Sequence, residues 1–397
     1  MVRRPFSSRV PAELGSNRLA RAVSDARAAG RPLVDLTQSN PTRAGFEYPA
    51  DLLAPLANPR GLTYEPRPFG LSSAREAVAA DHARRGVSIA PERIALTAST
   101  SEAYSLLFKL LADTGDEVLV PRPSYPLFDH LTQLDAVVRR PYELEYHGGW
   151  SIDVGSVERA ISPKTCALLL VTPNNPTGSF VSRPELKRLA AICADRGIAI
   201  IADEVFAEYQ VRAGACVDAG RVLDVRDGLV FSLGGLSKSV GLPQVKLGWI
   251  AAGGSDDLVS AALERLELIC DTYLSVSTPV QAAAAELLSR GAVVRKQIQS
   301  RIAANYRTLA EQVELAPSCT VLVADGGWYA VLQVPTIGAE EDLVVDLVRQ
   351  GVIVHPGYFF DFARESFLVV SLLPAEREFA DGVSRVLQHI QQRTGGR

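Results

Sequence analysis

The sequence predicts an α/β protein: a mostly parallel central sheet with helices on both faces, followed by a smaller α+β carboxyl-terminal domain. Three observations carry the prediction. Short apolar runs of strand length alternate with helical patterns between residues 94 and 271. The polar motifs sit at the carboxyl ends of those runs, where ligands bind in parallel sheets. Beyond Thr278-Pro279 the rhythm changes to a long helical run and then to paired strands around Gly326-Gly327.

In chain order, residues 12–29 predict an amphipathic helix stopped by Gly30, then a strand at Leu33–Leu36 and the polar loop Thr37-Gln-Ser-Asn-Pro-Thr42. A proline-rich connection, 49–68, contains Tyr64. A helix over Leu71–Arg85 ends before Gly86. Strands are expected at Ile94–Thr97, Glu117–Val120, Cys166–Val171, Ile198–Ala202, Leu229–Leu233 and Leu247–Ala252, with helices over 101–112, 125–135, 183–196 and 256–271. The second unit reads as a helical run from about Val280 to Glu314 and strands at Thr320–Val323 and Trp328–Val334. A helix (341–350), strands at Val352–Val354 and Phe367–Leu372, and a helix over 375–392 complete it. The expected division is an amino-terminal arm, 1–45, packing with a small domain, 280–397, and a large domain, 46–279.

The 397 residues suffice for more than one domain, and 47% apolar with 22% charged content is ordinary for a soluble globular protein. A net charge of −4 with interspersed signs gives no footprint for nucleic acid or membrane. Cys166, Cys193, Cys216, Cys270 and Cys319 form no CxxC, which fits a reducing compartment. The five histidines lack metal-ligand spacing, so no metal is expected. No signal peptide or membrane span is read, and a cytoplasmic location is expected.

The chemistry centres on Phe231-Ser-Leu-Gly-Gly-Leu-Ser-Lys-Ser-Val-Gly-Leu-Pro-Gln-Val-Lys246. A lysine just past a buried strand has its ammonium partly desolvated, which lowers its pKa and makes the amine a nucleophile toward a carbonyl. Lys238 sits there; a surface turn is the plainer reading. Ser99, Thr100 and Ser101 open a helix, with Ser99 and Glu102 in capping-box spacing, and offer either a cap or an anion site. Tyr125, between prolines, stacks on a planar ring or fills core. Asn175, in Asn174-Asn-Pro-Thr-Gly178, puts an amide at the mouth of the sheet beyond what the turn needs. Asp203 ends an apolar strand, either as a cap or to meet a cation such as a protonated ring nitrogen. One ligand explains all five. Pyridoxal phosphate needs an amine, an anion site, a stacking ring, an amide near its phenolic oxygen and a carboxylate at its ring nitrogen.

Asn175-Pro-Thr-Gly, Asp203-Glu-Val and Ser237-Lys238-x-x-Gly-Leu-Pro, in this order and at these intervals, make the chain resemble the class I/II aminotransferases, fold-type I pyridoxal-phosphate enzymes. The resemblance runs from Leu36 to the last helix. It implies Lys238 as Schiff-base lysine and catalytic base, Asp203 on the pyridinium, Asn175 on the phenolic oxygen and Tyr125 on the ring. It implies Ser99, Thr100, Ser101, Ser237 and Lys246 around the phosphate, with Tyr64 reaching a neighbouring subunit's phosphate in a homodimer. Ser39 and Asn175 are placed at the substrate, an amino donor or a 2-oxo acid acceptor. It also implies cis bonds at Arg122-Pro123 and Asn175-Pro176. The chain departs from the family pattern at Phe206 (usually Tyr), Gly235 (often Ser) and Lys246 (usually Arg). Val369 stands where the family's carboxylate-gripping Arg begins an Arg-x-Ser pattern; Arg43, Arg67, Arg122 and Arg364 lie in loops near enough to substitute. Ping-pong amino transfer is the expected reaction. A β- or γ-lyase, a synthase or a non-catalytic binding protein on the same fold is the alternative.

Overall fold

The computed structural model describes residues 6–12, 14–364 and 366–395. The first helix is Arg18–Ala28, shorter than the predicted 12–29, because Asn17 caps it by accepting from Ala20 N at 2.7 Å. Strand β1 (Val34–Asp35) follows. The next strands are β2 (Ile94–Thr97), β3 (Glu117–Arg122), β4 (Val138–Tyr146), β5 (Trp150–Ile152), β6 (Thr165–Val171), β7 (Ala199–Asp203), β8 (Leu229–Gly235) and β9 (Gly248–Gly254). They form one sheet in the order β2-β9-β8-β7-β6-β3-β4-β5, parallel from β8 across to β4 and antiparallel at both edges.

Both faces of the central strands are covered. In β7, Ile200 and Ala202 pack into one core cluster while Ala199 and Ile201 pack into the other. Such strands read as continuous apolar runs, and for that reason their positions are legible in the sequence. Helices Thr100–Leu111 and Asp256–Tyr273 cover one face through Leu106, Leu107, Val259 and Leu266; Ser72–Arg84 and Arg183–Arg196 cover the other through Ala74, Val78, Leu186 and Leu189.

Strands β4 and β5 and the helix Val154–Ala160 were not expected. β4 is half-exposed, carries charge on its outer face and contains Pro141, which demotes a strand reading; it is tolerated because β5 pairs only from Leu144 onward. The helical run from about Val280 to Glu314 is two helices, Thr278–Arg290 and Ala292–Glu314, meeting at Gly291. A Cβ on Gly291 would lie 2.6 Å from Val240 Cβ, so the break lets the backbone press against the segment that carries Lys238.

The remaining strands are β10 (Thr320–Val321), β11 (Tyr329–Gln333), β12 (Val352–Ile353), β13 (His355–Pro356) and β14 (Phe367–Ser371). β10, β11, β14 and β13 make an antiparallel sheet in that order, while β12 pairs in parallel with β1. The helix Arg18–Ala28 packs on Glu340–Arg349, with Arg18 paired to Glu341 and Asp342. The last helix is Glu376–Gly395.

One glycine ties the two sheets together. Gly178 has φ +71°, and its carbonyl accepts from Asp325 N (3.1 Å) and Gly326 N (2.8 Å). A Cβ there would meet Gly326 O at 2.5 Å and Ala324 Cβ at 2.8 Å. Gly178→Ala is expected to destabilise the protein by about 2 kcal/mol or more, read as a lowered urea midpoint at unchanged slope.

Candidate active site

The carboxyl ends of the parallel strands and one edge of the small sheet enclose a cavity of about 400 Å³. Ser39, Ser99, Thr100, Ser101, Tyr125, Asn175, Asp203, Ser237, Lys238 and Lys246 all line it. These residues come from seven segments spread over more than 200 positions, and the fold brings them together. Tyr64 is the exception: it is 76% exposed and lines a separate cleft with Tyr273.

Lys238 sits in the short helix Leu236–Ser239 directly after β8. Burial pushes its ammonium pKa down, against the opposing pull of Asp203. The Nζ stands 5.3 Å from the Trp328 ring centroid, and Tyr209 fixes the backbone by donating to the Lys238 carbonyl at 2.5 Å. Asp203 is the last residue of β7. Its carboxylate accepts from Val205 N and from the Tyr104 hydroxyl, both at 3.1 Å. Burial still outweighs these donors and pushes its pKa up to about 6.

Asn174 and Asn175 divide the labour of their turn. Asn174 is spent on structure, donating to Pro123 O (3.1 Å) and Thr177 Oγ1 (3.0 Å) and accepting from Ser124 Oγ (3.2 Å). Asn175 has a buried carboxamide oxygen without a protein partner, beside the cavity. Such a group costs free energy unless a ligand engages it. The peptide bonds Arg122-Pro123 and Asn175-Pro176 are cis, as the resemblance implied, and so is Thr172-Pro173.

Ser99 caps the helix Thr100–Leu111 by accepting from Glu102 N at 3.1 Å, so the capping reading of Ser99 holds. The return bond differs from a full capping box, since Glu102 accepts from Ala98 N at 2.6 Å. The first turn still presents unpaired N–H groups and the Thr100 and Ser101 hydroxyls to the cavity. Lys246 is held at φ +61°, an uncommon conformation for a side chain of this size, immediately before the strand whose Gly248 abuts Ser99. A Cβ on Gly235 would lie 3.0 Å from Leu247 O and 3.1 Å from Gly248 Cα, which accounts for glycine at this position.

Phe206 is buried edge-on to Trp328, with centroids 5.2 Å apart, and brings no hydroxyl to the cavity. Val369 is fully buried in β14. None of the four candidate arginines lines the cavity: Arg43, Arg67 and Arg364 are exposed, and Arg122 is paired to Glu143. The residues that sequence reasoning missed are Tyr104, Trp328, Tyr329, His355, Phe359 and Phe360. Each belongs to an apolar stripe in the sequence; Tyr104 gains its place by the packing of Thr100–Leu111 on the large sheet, and the others gain theirs by the tertiary approach of the two sheets. Among the described residues there is no cluster of three metal-ligating side chains, and no helix is long and apolar enough to cross a membrane.

The architecture is that of a known class. The alanine aminotransferase structure from Pyrococcus furiosus superposes with a TM-score of 0.87 at 21% identity, covering 98% of this chain and 100% of that one. A Thermus thermophilus aspartate aminotransferase variant superposes with a TM-score of 0.84 at 23% identity, covering 97% and 100%. The fold is therefore that of the fold-type I enzymes. In sequence, the chain is 26% identical over 382 residues to an alanine aminotransferase of Mycobacterium tuberculosis, covering 90% of this chain and 86% of that protein. It is 30% identical over 270 residues to nicotianamine aminotransferase B of Hordeum vulgare, where the match covers 65% of this chain but only about half, 48%, of the relative. Residues 36–378 match the family "Aminotransferase class I and II". The chain belongs to this family and is an aminotransferase.

Proposed function

We propose that the cavity holds pyridoxal 5′-phosphate and that the protein moves an amino group from an amino acid or related amine to a 2-oxo acid, in two half-reactions at one site. The observation that carries this reading is the convergence of Lys238, Asp203, Asn175 and the amino-terminal end of Thr100–Leu111 on one cavity. The residues fit the group. Asn175 brings a carboxamide whose buried oxygen lacks a protein partner and would accept from a phenolic O–H, and Asp203 is a part-buried carboxylate whose ionised form a cationic ring nitrogen would stabilise. Thr100, Ser101, Ser237 and Lys246 would hold the phosphate, with Ser99 setting the helix end, and Tyr125 would stack on the ring.

When bound, pyridoxal phosphate supplies a carbonyl for the amine and a ring that withdraws electrons from the substrate Cα. The chain's own groups do the rest. Lys238, with its ammonium pKa lowered, would hold the cofactor through Nζ and would serve as the base that takes and returns the substrate Cα proton. Asp203 would be held ionised by a cationic ring nitrogen and would in turn favour the positive charge there. The Trp328 face packs beside the Lys238 amine, and the Asn175 carboxamide would meet the cofactor's phenolic oxygen. Ser39 faces the substrate from the arm.

We further propose a homodimer in the cytoplasm, with Tyr64 completing the phosphate site of the second copy. Leu62, Tyr64, Leu268 and Tyr273 are exposed apolar residues, and Tyr64 and Tyr273 line one cleft, as an interface would require. Tyr64→Phe is expected to weaken cofactor affinity by roughly tenfold, measured by absorbance titration, through loss of one hydrogen bond to a charged group.

The deciding experiment for the reaction is the absorption spectrum of the pure protein with pyridoxal phosphate, titrated with amino donors and then with a 2-oxo acid. A cofactor band that the donor converts and the 2-oxo acid restores is the expected result. Ammonia release without restoration would replace amino transfer by elimination. No band at all would remove the cofactor.

A further inference from the structure

A carboxylate carried into a desolvated cavity needs a cation or several donors to meet it. Among the described residues, the basic side chains lining this cavity are Lys238, Lys246 and His355. Lys238 is occupied by the chemistry, and Lys246 lies at the Ser99 end, where the phosphate is expected. His355 alone stands on the opposite wall, in β13 of the small sheet. It is the direct register partner of Val369 in the antiparallel β13–β14 pair, and directly opposed residues project from the same face of a sheet. Its imidazole therefore extends on the side of the sheet where Val369 offers only methyl groups. Among the described residues no hydrogen bond is made to the His355 ring, which packs against Phe359 and Phe360 with centroids 6.2 and 5.7 Å apart.

Resting on the amino-transfer reading, we propose that His355 meets the carboxylate shared by the amino donor and the 2-oxo acid, as an imidazolium formed on binding, with the Tyr329 and Ser39 hydroxyls beside it. No guanidinium is then needed. Both hydroxyls line the same cavity. His355 and Phe359 also form the partition to a second cleft of about 410 Å³, under the helix Arg18–Ala28. Through that cleft the ring can take a proton from solvent without crossing the cofactor's side of the cavity.

The groups facing His355 set the sign of the pH dependence. Asp35 of β1 favours its charged form, but Asp35 is already bonded to Thr37 and paired with Arg27 from the packed helix. Tyr329 of β11 is neutral, and its burial pushes the phenol up to about 12. Glu340, from the helix Glu340–Arg349, is spent on the N–H groups of Tyr358 and Ser366. Lys238 and Asp203 lie across the cavity and oppose each other. Burial therefore prevails in the empty site and holds the imidazole down to about 4. A bound carboxylate raises that value, so binding takes up a proton and weakens as pH rises.

The test is calorimetric binding to the cofactor-loaded protein, and it needs no turnover. The probes are 3-phenylpropanoate, a carboxylate on an apolar stem suited to Phe359 and Phe360, and its neutral counterpart 3-phenylpropanol. Wild type is expected to prefer the acid, to lose about tenfold in acid affinity between pH 5.5 and 7.5, and to show proton uptake when buffers of different ionisation enthalpy are compared. His355→Gln and His355→Phe should abolish both the uptake and the pH dependence, with alcohol binding unchanged as the check on folding. Preference and uptake that survive in His355→Gln, or a wild type without acid preference, would overturn the proposal. A missing cofactor band would instead count against the amino-transfer reading, and the binding data would still decide the role of His355.

Discussion

Replacing Lys238 should reduce kcat by at least about 10⁴-fold, the upper range for a positioned general base, because in the proposed reaction the same amine would also make the covalent link. The same replacement should stabilise the protein. A lysine whose folded pKa is lowered binds fewer protons folded than unfolded, so its charge costs stability below the folded pKa. That cost fades as pH rises toward the ordinary lysine value, where both states are neutral. Lys238→Met keeps the side-chain volume against Trp328 without the charge, which separates this effect from that of a cavity. Urea unfolding of the protein without added cofactor should give a higher midpoint for Lys238→Met than for wild type at pH 7, with the gap narrowing toward pH 10. An unchanged midpoint would mean that Lys238 is hydrated in the folded state. Full turnover in Lys238→Ala would remove the lysine from the mechanism.

The legibility of this fold in its sequence follows from burial. Strands β6, β7 and β8 are covered on both faces and appear as apolar runs, and Asn175, Asp203 and Lys238 lie at or within a few residues of their carboxyl ends. A site built on such ends can be read from one dimension. β4 could not be read so, because its outer face is charged and Pro141 interrupts it, and the break at Gly291 depends on contact with Val240. Tyr104 is hidden for a related reason. It lies in the buried stripe of Thr100–Leu111 with Leu107 and Phe108, and only its hydroxyl, aimed at Asp203 from 99 positions away, distinguishes it from core. His355 sits in a strand of two residues, and its position opposite Val369 is a fact of register that no local pattern contains.

Asp203→Asn should lower kcat by on the order of 10²–10³-fold while leaving the fold and the cofactor band in place, since it removes a fixed charge from the point where positive charge must persist. The structure gives this substitution a second signature. A carboxyl whose folded pKa is raised to about 6 binds more protons folded than unfolded between about pH 4 and 6. Its contribution to stability is present below the unfolded value and is lost as pH rises through the folded one, by up to about 3 kcal/mol. The cofactor-free wild type should therefore lose stability from pH 4 to pH 6, and Asp203→Asn should lack that slope. Tyr104→Phe tests the same carboxylate from the other side. Its hydroxyl favours the ionised form, so removing it should raise the Asp203 pKa further, steepen the loss and reduce kcat by roughly tenfold, about the worth of one hydrogen bond to a charged group. Opposite movements of the stability slope in Asp203→Asn and Tyr104→Phe, with turnover falling in both, would tie the buried carboxylate to catalysis. Matching slopes in all three proteins would show that Asp203 is already ionised before any cofactor arrives.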